Sequence, residues 1–476
     1  MHRCLVFFSF ASFLLAQDAK IAKKPGLPLT PERKIEFDTD EGTWLSLSPS
    51  PDGRTILFDM LGDLYTLPME GGEARRITNG LPFDSQPIYS PDGQWMAFTS
   101  DRDGAENVWI AKVDGSEPKQ LSRDKESEFA SPSWTPDGQY VLVSRAEPGL
   151  GTNEIWMYNV LGGKGVQVTK TRTAPTTPRD QLLNDLGAIA SPDGKYFYYA
   201  RRKRNFGYNV NFPLWQIVRR DRVTGDEDTI TDEGGSAIRP VLSPDGKKLV
   251  YGTRFDTETG LRIRDLTTGE DRWLKYPIQR DDQESRATRD TLPGYAFTPD
   301  GKDLLACYGG KIHRIQVATG EDRVIPFHAK VSLDAGPQLK FASRIEEGPV
   351  RARLIQEPVQ SPDGRRIVFS SLTHLYAMDL ASGAPGRLTN VEAREYQPAW
   401  SPDGEFIAYV TWSEENGGQI WKLRTNGQFP PQLVTSSAGY YEHPAWSPDS
   451  SRIVALRTSQ RERAEFGGFG GSREWM

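Results

Sequence analysis

The histidines of this chain are the first residues to test for chemistry, because imidazole binds metals and transfers protons near neutral pH. Four of them lie beyond the N-terminal segment: His313, His328, His374 and His443. A metal-dependent hydrolase needs imidazoles and carboxylates that converge on one ion and lower the pKa of its bound water. No two of these histidines are closely spaced, and no His-x-His pair occurs. We therefore expect packed or surface imidazoles, with no metal site and no cofactor in this chain.

A serine nucleophile is the second chemistry to test. Its signature on an α/β-hydrolase sheet is Gly-x-Ser-x-Gly, and the run Gly470–Glu474 lacks the closing glycine. Two acidic runs, Asp38–Gly42 and Asp101–Gly104, contain pieces of a calcium-binding loop but not its full ligand set. Hairpin turns explain these runs better. No catalytic residue is predicted in this chain.

One cluster of basic residues could bind a partner: Arg201, Arg202, Lys203 and Arg204. Aromatic residues follow it, and basic residues interleaved with aromatic rings can bind nucleic acids or acidic surfaces. The simpler interpretation is a long, solvated hairpin. The net charge of −6 argues against nucleic acid. If this cluster binds anything, we expect an acidic protein surface or a neighbouring domain.

The elements that must position these residues are defined by a turn that occurs nine times. Eight copies read Ser/Thr-Pro-Asp-Gly and the last reads Ser-Pro-Asp-Ser, at intervals of 40 to 63 residues. This period suits four short strands per repeat. Proline presets the turn, aspartate accepts local backbone hydrogen bonds, and glycine takes the left-handed conformation. The turn aspartates are Asp52, Asp92, Asp137, Asp193, Asp245, Asp300, Asp363, Asp403 and Asp449.

Two further patterns divide each repeat into strands. A glycine recurs in the turn between the last two strands of eight repeats, and a proline stands four residues before the turn proline in six repeats. Proline is tolerated at the first position of a strand, so we expect it to mark the start of the innermost strand. The prolines are Pro87, Pro132, Pro240, Pro358, Pro398 and Pro444. The predicted fold is all-β, with tandem β-propellers of four-stranded blades.

The longest interval between turns, from Asp300 to Asp363, indicates a domain boundary. We expect a first propeller of about six blades over residues 33–330, and the alternative is a seven-bladed ring that recruits residues 331–349. A second, incomplete propeller is expected over residues 345–476, because the ninth repeat shows one strand, Arg452–Arg457, and then a glycine-rich stretch. Arg33–Phe37 alternates apolar and polar residues and is predicted to add a strand to the last blade of the first ring.

The N-terminus has the pattern of an export signal. His2 and Arg3 precede an apolar run over residues 5–15, so residues 1–16 are predicted to be a cleavable signal peptide. The run is too short to cross a membrane, which needs about 20 residues. We therefore expect a periplasmic or secreted protein with no membrane span. Only Cys307 would remain after cleavage, so no intramolecular disulfide is expected.

The repeats resemble the TolB-type repeats of bacterial periplasmic proteins. This resemblance covers residues 40–455 and is carried by runs such as Gln397–Gly404 (Gln-Pro-Ala-Trp-Ser-Pro-Asp-Gly) and the strand ending Arg387–Thr389. A narrower resemblance is to exported bacterial proteins in which tandem propellers precede a metal-dependent amidohydrolase barrel. The residues that carry it are Gly42–Trp44, Gly62–Tyr65, Phe212–Gln216 and His374–Leu380.

The resemblance implies a binding or gating scaffold. The tunnel mouth or the blade-edge loops would then admit or dock substrate for a C-terminal amidohydrolase domain, a C–N bond hydrolase outside this chain. A divalent metal such as zinc is expected only if that domain exists, and the partner would be the chain's own catalytic domain. Two alternatives stay open. One is a stand-alone periplasmic TolB-like propeller that binds a protein or peptide, and the other is the propeller of an exported prolyl-oligopeptidase-type peptidase.

Overall fold

The structure, a computed structural model, describes residues 30–206, 214–285, 290–338, 342–345, 347–427, 429–459 and 474–475. The predicted signal peptide, residues 1–16, lies outside them, as do Phe212 and Pro213 and most of the run Gly470–Glu474. Regular structure in the described part of the chain is almost entirely β-strand, with one short 3-10 helix at Arg179–Gln181. The all-β prediction is confirmed.

Six sheets of antiparallel strands follow one another in chain order from residue 47 to residue 325. A single strand precedes them: β1 (Arg33–Thr39). Blade 1 contains β2 (Leu47–Pro49), β3 (Thr55–Met60), β4 (Asp63–Pro68) and β5 (Gly72–Arg76). Blade 2 contains β6 (Ser85–Tyr89), β7 (Trp95–Ser100), β8 (Asn107–Lys112) and β9 (Lys119–Gln120). Blade 3 contains β10 (Phe129–Trp134), β11 (Tyr140–Glu147), β12 (Thr152–Asn159) and β13 (Val166–Gln167). Blade 4 contains β14 (Leu183–Ala190), β15 (Tyr196–Lys203), β16 (Gln216–Asp221) and β17 (Glu227–Thr229). Blade 5 contains β18 (Ile238–Leu242), β19 (Lys248–Phe255), β20 (Glu258–Asp265) and β21 (Asp271–Lys275). Blade 6 contains β22 (Ala296–Phe297), β23 (Asp303–Tyr308), β24 (Lys311–Gln316) and β25 (Asp322–Ile325).

One strand and three more sheets follow blade 6. The strand is β26 (Phe327–Ala335). Blade 7 contains β27 (Gln356–Gln360), β28 (Arg366–Ser371), β29 (His374–Asp379) and β30 (Pro385–Arg387). Blade 8 contains β31 (Arg394–Trp400), β32 (Phe406–Ser413), β33 (Gly417–Arg424) and β34 (Gln432–Leu433). Blade 9 contains β35 (Tyr440–Trp446), β36 (Ile453–Thr458) and β37 (Glu474–Trp475). The ninth repeat therefore has three described strands, because Glu474–Trp475 pairs with β36.

Blades 1–6 close into a ring. Each innermost strand contacts the next around the circle, and β2 of blade 1 contacts β22 and β23 of blade 6. The Leu47 N–H donates to the Gly294 carbonyl oxygen over 3.0 Å at this seam. Leu305 and Ile312 of blade 6 share a buried cluster with Leu45 and Ile56 of blade 1. The ring thus has six blades, and residues 331–335 add no seventh.

A two-stranded latch lies on the outer edge of blade 1. β26 leaves blade 6 and pairs in parallel with β5, and β1 pairs with β26 along its whole length. Phe327 and Val331 of β26 are buried in the closing seam, where the Phe327 ring lies 5.6 Å from the Phe58 ring. The prediction that Arg33–Phe37 joins the last blade is wrong, because this apolar burial carries β26 and its partner β1 across to blade 1.

The repeated prolines lie within the innermost strands and not at their first positions. In all six cases the strand register shifts at the proline, and the preceding residue has a φ of 52–55°. This is a β-bulge, which leaves one residue unpaired and so tolerates a residue without an N–H group. The prediction that these prolines begin the strands is therefore wrong.

Candidate functional site

A polar network joins the blades across the axis of the ring, and we call it the axial network. Its members are Asp59, Gln86, Ser131, Arg239 and Asp290. The Ser46 and Gln86 N–H groups donate to the two Asp59 carboxylate oxygens over 2.6 and 2.7 Å. The Ser131 N–H donates to Gln86 Oε1 over 2.7 Å. Side chains of the left-handed bulge residues thus connect blade to blade.

Asp290 brings the segment before blade 6 onto this network. Its carboxylate accepts hydrogen bonds from the Ser131 hydroxyl of blade 3 and from the Arg239 guanidinium of blade 5. Blades 3 and 6 are opposite one another in a six-membered ring, so this segment crosses the axis. Asp290 is buried, with 4% of its surface exposed. Asp290 therefore links the segment before blade 6 to blades 3 and 5.

Burial disfavours the charged forms of two members of the axial network, Asp59 and Arg239. Burial raises the pKa of the Asp59 carboxyl to about 6, and the amide hydrogen bonds from Gln86 and Ser46 oppose part of that shift. Burial likewise lowers the pKa of the Arg239 guanidinium to about 10. A carboxyl with a pKa near neutral can act as an acid or base. Both Asp59 oxygens already accept backbone N–H groups, so the geometry indicates a structural role.

The nine turn aspartates make the same contacts in every repeat. The Ser or Thr hydroxyl two residues earlier donates to the aspartate over 2.5–2.7 Å. The N–H group two residues later donates over 2.9–3.2 Å. The side-chain hydrogen bond is the main cause of a lowered pKa at each carboxyl. The turns therefore stabilise blades and present no open ligand.

The basic cluster at residues 201–204 lies at the end of β15. Arg201 donates to Asp185 over 2.7 and 2.9 Å and also contacts Glu227. Arg202 is buried, with 3% of its surface exposed, and Arg204 is half-buried. Lys203 is the exposed member of the four. That this cluster binds an acidic partner stays a prediction. Such a partner would meet Lys203, which forms no ion pair with a described residue.

The four histidines are dispersed among different blades. The His313 ring stacks on Tyr308 at 3.6 Å, and its Nδ1 lies 2.8 Å from Asp322. His328 lies in the latch, His374 begins β29, and His443 is the bulge residue of β35. No group of three or more metal-ligating side chains is found in the described part of the chain. None of its helices is long and apolar enough to cross a membrane.

A groove between blades 2 and 3 was not predicted from the sequence. A cleft of about 570 Å³ is lined by Trp95 and Trp134, together with prolines of two adjacent turns. A second cleft of about 610 Å³ is lined by Trp156 and shares Lys119 and Leu161 with the first. We call the two together the blade 2–3 groove. A sequence signal does exist, since both Trp95 and Trp134 lie three residues from a turn aspartate.

The blade 2–3 groove has an exposed apolar residue between its two clefts and basic residues on one side. Leu161 lines both clefts and is 86% exposed. Arg123 and Lys164 line the second cleft, and both are exposed. Neither forms an ion pair with a described residue. Lys119 is anchored differently, because its Nζ donates to the Val160 carbonyl oxygen over 2.6 Å.

The chain is similar to two families of propeller domains. Residues 44–211 match the family described as Tricorn protease N-terminal beta propeller domain, and residues 351–467 match the TolB beta propeller domain. Together with the four-stranded sheets, these matches define a β-propeller protein. Its repeats are TolB-like, as the sequence predicted. The resemblance to amidohydrolase-linked propellers has no counterpart in these matches.

Individual relatives align over limited lengths. Tricorn protease homolog 1 of Streptomyces coelicolor is 34% identical over 96 residues, which cover 20% of this chain and 9% of that protein. The Tol-Pal system protein TolB of Francisella tularensis subsp. holarctica is 29% identical over 192 residues, covering 30% of this chain and 44% of that protein. The crystal structure of the tricorn protease superimposes with a TM-score of 0.45 at 15% identity, covering 88% of this chain and 47% of that one. The aligned part of this chain spans less than half the length of Tricorn protease homolog 1 and less than half the length of the Francisella TolB.

Proposed function

We propose that this chain is an exported TolB-like binding module that docks an extended segment of a partner protein on the blade 2–3 groove. The observation that carries the proposal is the combination of exposed Leu161 with the partly exposed rings of Trp95 and Trp134. Contiguous apolar surface with a polar rim is typical of interaction sites, and tryptophan is enriched where binding energy concentrates.

The charges around the groove suggest the chemistry of the partner. Arg123 and Lys164 place two positive charges beside the second cleft, although the chain as a whole carries a net charge of −6. A segment with an apolar anchor next to acidic residues would complement this surface. The apolar anchor would contact Trp95 and Trp134, and the acidic residues would face Arg123 and Lys164.

A periplasmic location is part of this proposal. It is supported by the export pattern of residues 1–16 and by the name of the Tol-Pal system relative. The partner would then be a protein or peptide of the bacterial envelope. A stand-alone propeller needs no catalytic residues. In the axial network, Asp59 accepts main-chain N–H groups and Arg239 pairs with Asp290.

A second candidate is the docking region of a larger hydrolase, with the same groove holding that enzyme's catalytic domain. It is favoured by the match of residues 44–211 to the propeller of a protease, and by the small part of Tricorn protease homolog 1, 9% of its length, that this chain covers. That match supports a peptidase more directly than the amidohydrolase implied by the sequence resemblance. A metal such as zinc would enter only with an amidohydrolase domain.

Site-specific photo-crosslinking separates these candidates. Benzoylphenylalanine replaces Leu161 in one variant and Val223 in the control, since Val223 is equally apolar and 93% exposed on blade 4. After irradiation in an envelope extract of the source bacterium, we expect a discrete adduct at position 161 and none at position 223. An adduct with a non-catalytic envelope protein supports the binding module, and one with a hydrolase domain supports the second candidate. Equal labelling at both positions would contradict the groove as a docking site.

A further inference from the structure

Arg202 is a buried guanidinium that pairs with no carboxylate of the described residues. It donates to the main-chain oxygens of Lys203 and Asn205, both over 3.2 Å, and its Nη1 has no hydrogen-bond partner. Only 3% of the residue is exposed. A charge removed from water without an opposite charge is costly. The position therefore suggests that a missing group completes it.

The repeats supply an internal comparison, because Arg254 occupies the same position in blade 5. Each arginine stands nine residues after its turn aspartate, on the second strand of its blade. Arg254 donates to Asp281 over 3.1 Å and to Glu284 over 2.7 Å. The matching position thus accommodates carboxylates in blade 5, whereas no described residue of blade 4 provides one to Arg202.

Other arginines at the ends of second strands are also paired. Arg102 lies 2.8 Å from Asp84, and Arg145 lies 2.7 Å from Asp124. The stretch 207–213 that follows the Arg202 strand contains no Asp or Glu in its sequence. That stretch therefore cannot supply a carboxylate to Arg202.

Two neighbours of Arg202 carry unpartnered N–H donors. Asn184 is its direct partner in the β14–β15 pair, and the Asn184 Nδ2 has no acceptor. The Trp215 ring lies 5.6 Å from the Arg202 Cζ, and the Trp215 Nε1 has no acceptor either. Both residues are fully buried. The unsatisfied atoms of these three residues are all donors, which matches an anion and excludes a cation.

We propose that Arg202, Asn184 and Trp215 form a buried site for the carboxylate group of a small ligand, at the side of blade 4 opposite its Ser-Pro-Asp-Gly turn. A carboxylate has two planar oxygens that can accept parallel hydrogen bonds from a guanidinium. Burial, and then the nearby charge of Arg204, lower the pKa of Arg202 to about 10, as expected of a cation that lacks its counter-ion. This site is separate from the blade 2–3 groove and does not rest on the docking proposal.

Thermal unfolding of the full chain in sodium acetate, against sodium chloride at equal ionic strength, tests the site. A ligand that binds only the folded state raises the melting temperature in a saturable way. We expect saturable stabilisation by acetate in the wild type and a half-saturating concentration at least tenfold higher in Arg202→Met. Arg254→Met is the matched control. The Arg254 site already contains two carboxylates and should not bind acetate, so this variant should keep the acetate response of the wild type.

Trp215→Phe keeps an aromatic ring but removes the Nε1 donor together with the five-membered ring that carries it, so it tests the site if Arg202→Met does not fold. We expect it to weaken the acetate response. Sodium phosphate forms the second arm of the experiment. No acetate response in the wild type, an equal response in wild type and both site variants, or a response to phosphate alone would overturn the proposal.

Discussion

Asp59 joins blade 1 to blade 2 with both of its carboxylate oxygens. One oxygen accepts the Ser46 N–H group of its own blade, and the other accepts the Gln86 N–H group of the next. Gln86 is left-handed, with a φ of 55°, a conformation that is uncommon for a residue with a side chain. The buried carboxylate and the bulge thus support each other, and neither is available to an external substrate.

The raised pKa of Asp59 predicts a pH dependence of stability. The carboxyl titrates near 3.8 when unfolded and near 6 when folded. Between these values the folded protein binds more protons than the unfolded chain. The contribution of Asp59 to the free energy of unfolding is therefore full below pH 3.8. The free energy of unfolding then falls as pH rises to 6, by up to about 3 kcal/mol.

Urea unfolding at pH 4.5 and pH 7 measures this effect, with Asp59→Asn as the comparison. The variant cannot titrate at this position, so we expect the wild type to lose more stability than the variant between the two pH values. An identical change in both proteins would show that Asp59 does not titrate in this range.

Single residues were predictable where their partners are local. A turn aspartate is bonded by groups two residues before and two residues after it, so the motif itself specifies the geometry. The cluster at residues 201–204 shows the limit of this reasoning. Arg201 meets Asp185 and Glu227 from other strands, and the lack of a carboxylate at Arg202 is a property of the folded blade. Neither the pairing of Arg201 nor the environment of Arg202 can be predicted from sequence spacing.

At the scale of elements, the latch shows how burial decides strand placement. β26 carries three buried residues into the closing seam, Phe327, Ala329 and Val331. β1 alternates apolar and polar residues, as expected of a strand, but almost all of its residues are exposed. Its alternation predicted a strand, whereas its partner depended on where β26 packs. The six prolines are a parallel case, since their pattern predicted the innermost strands but not the bulge within each.

The two strands of the latch should differ in energetic importance. Phe327→Ala removes a ring that is 4% exposed and contacts Phe58, so we expect a loss of about 3 kcal/mol in the free energy of unfolding. Phe37→Ala is the matched control on β1, where the ring is 42% exposed. It should cost less than about 1 kcal/mol. Urea unfolding followed by tryptophan fluorescence gives both values, and equal losses would contradict the assignment of β26 to the closing seam.

At the scale of the whole molecule, the first ring closes through blade 6 and blade 1, and the chain then continues into blades 7–9. Repeat spacing predicted four-stranded blades because each repeat contains its own turn motif. It left six and seven blades open for the first ring, because closure depends on the seam between residues far apart in the chain. The blade 2–3 groove has the same origin, since its residues come from two repeats.

The central claim is that this ring acts as a binding scaffold through the blade 2–3 groove. Hydrogen–deuterium exchange of the full chain, alone and with the protein recovered by crosslinking at position 161, tests it most directly. We predict protection on binding in residues 90–95, 134–138 and 160–164, with the axial network unchanged. Protection confined to the axial network and residues 290–295, with no change in the groove, would contradict the account.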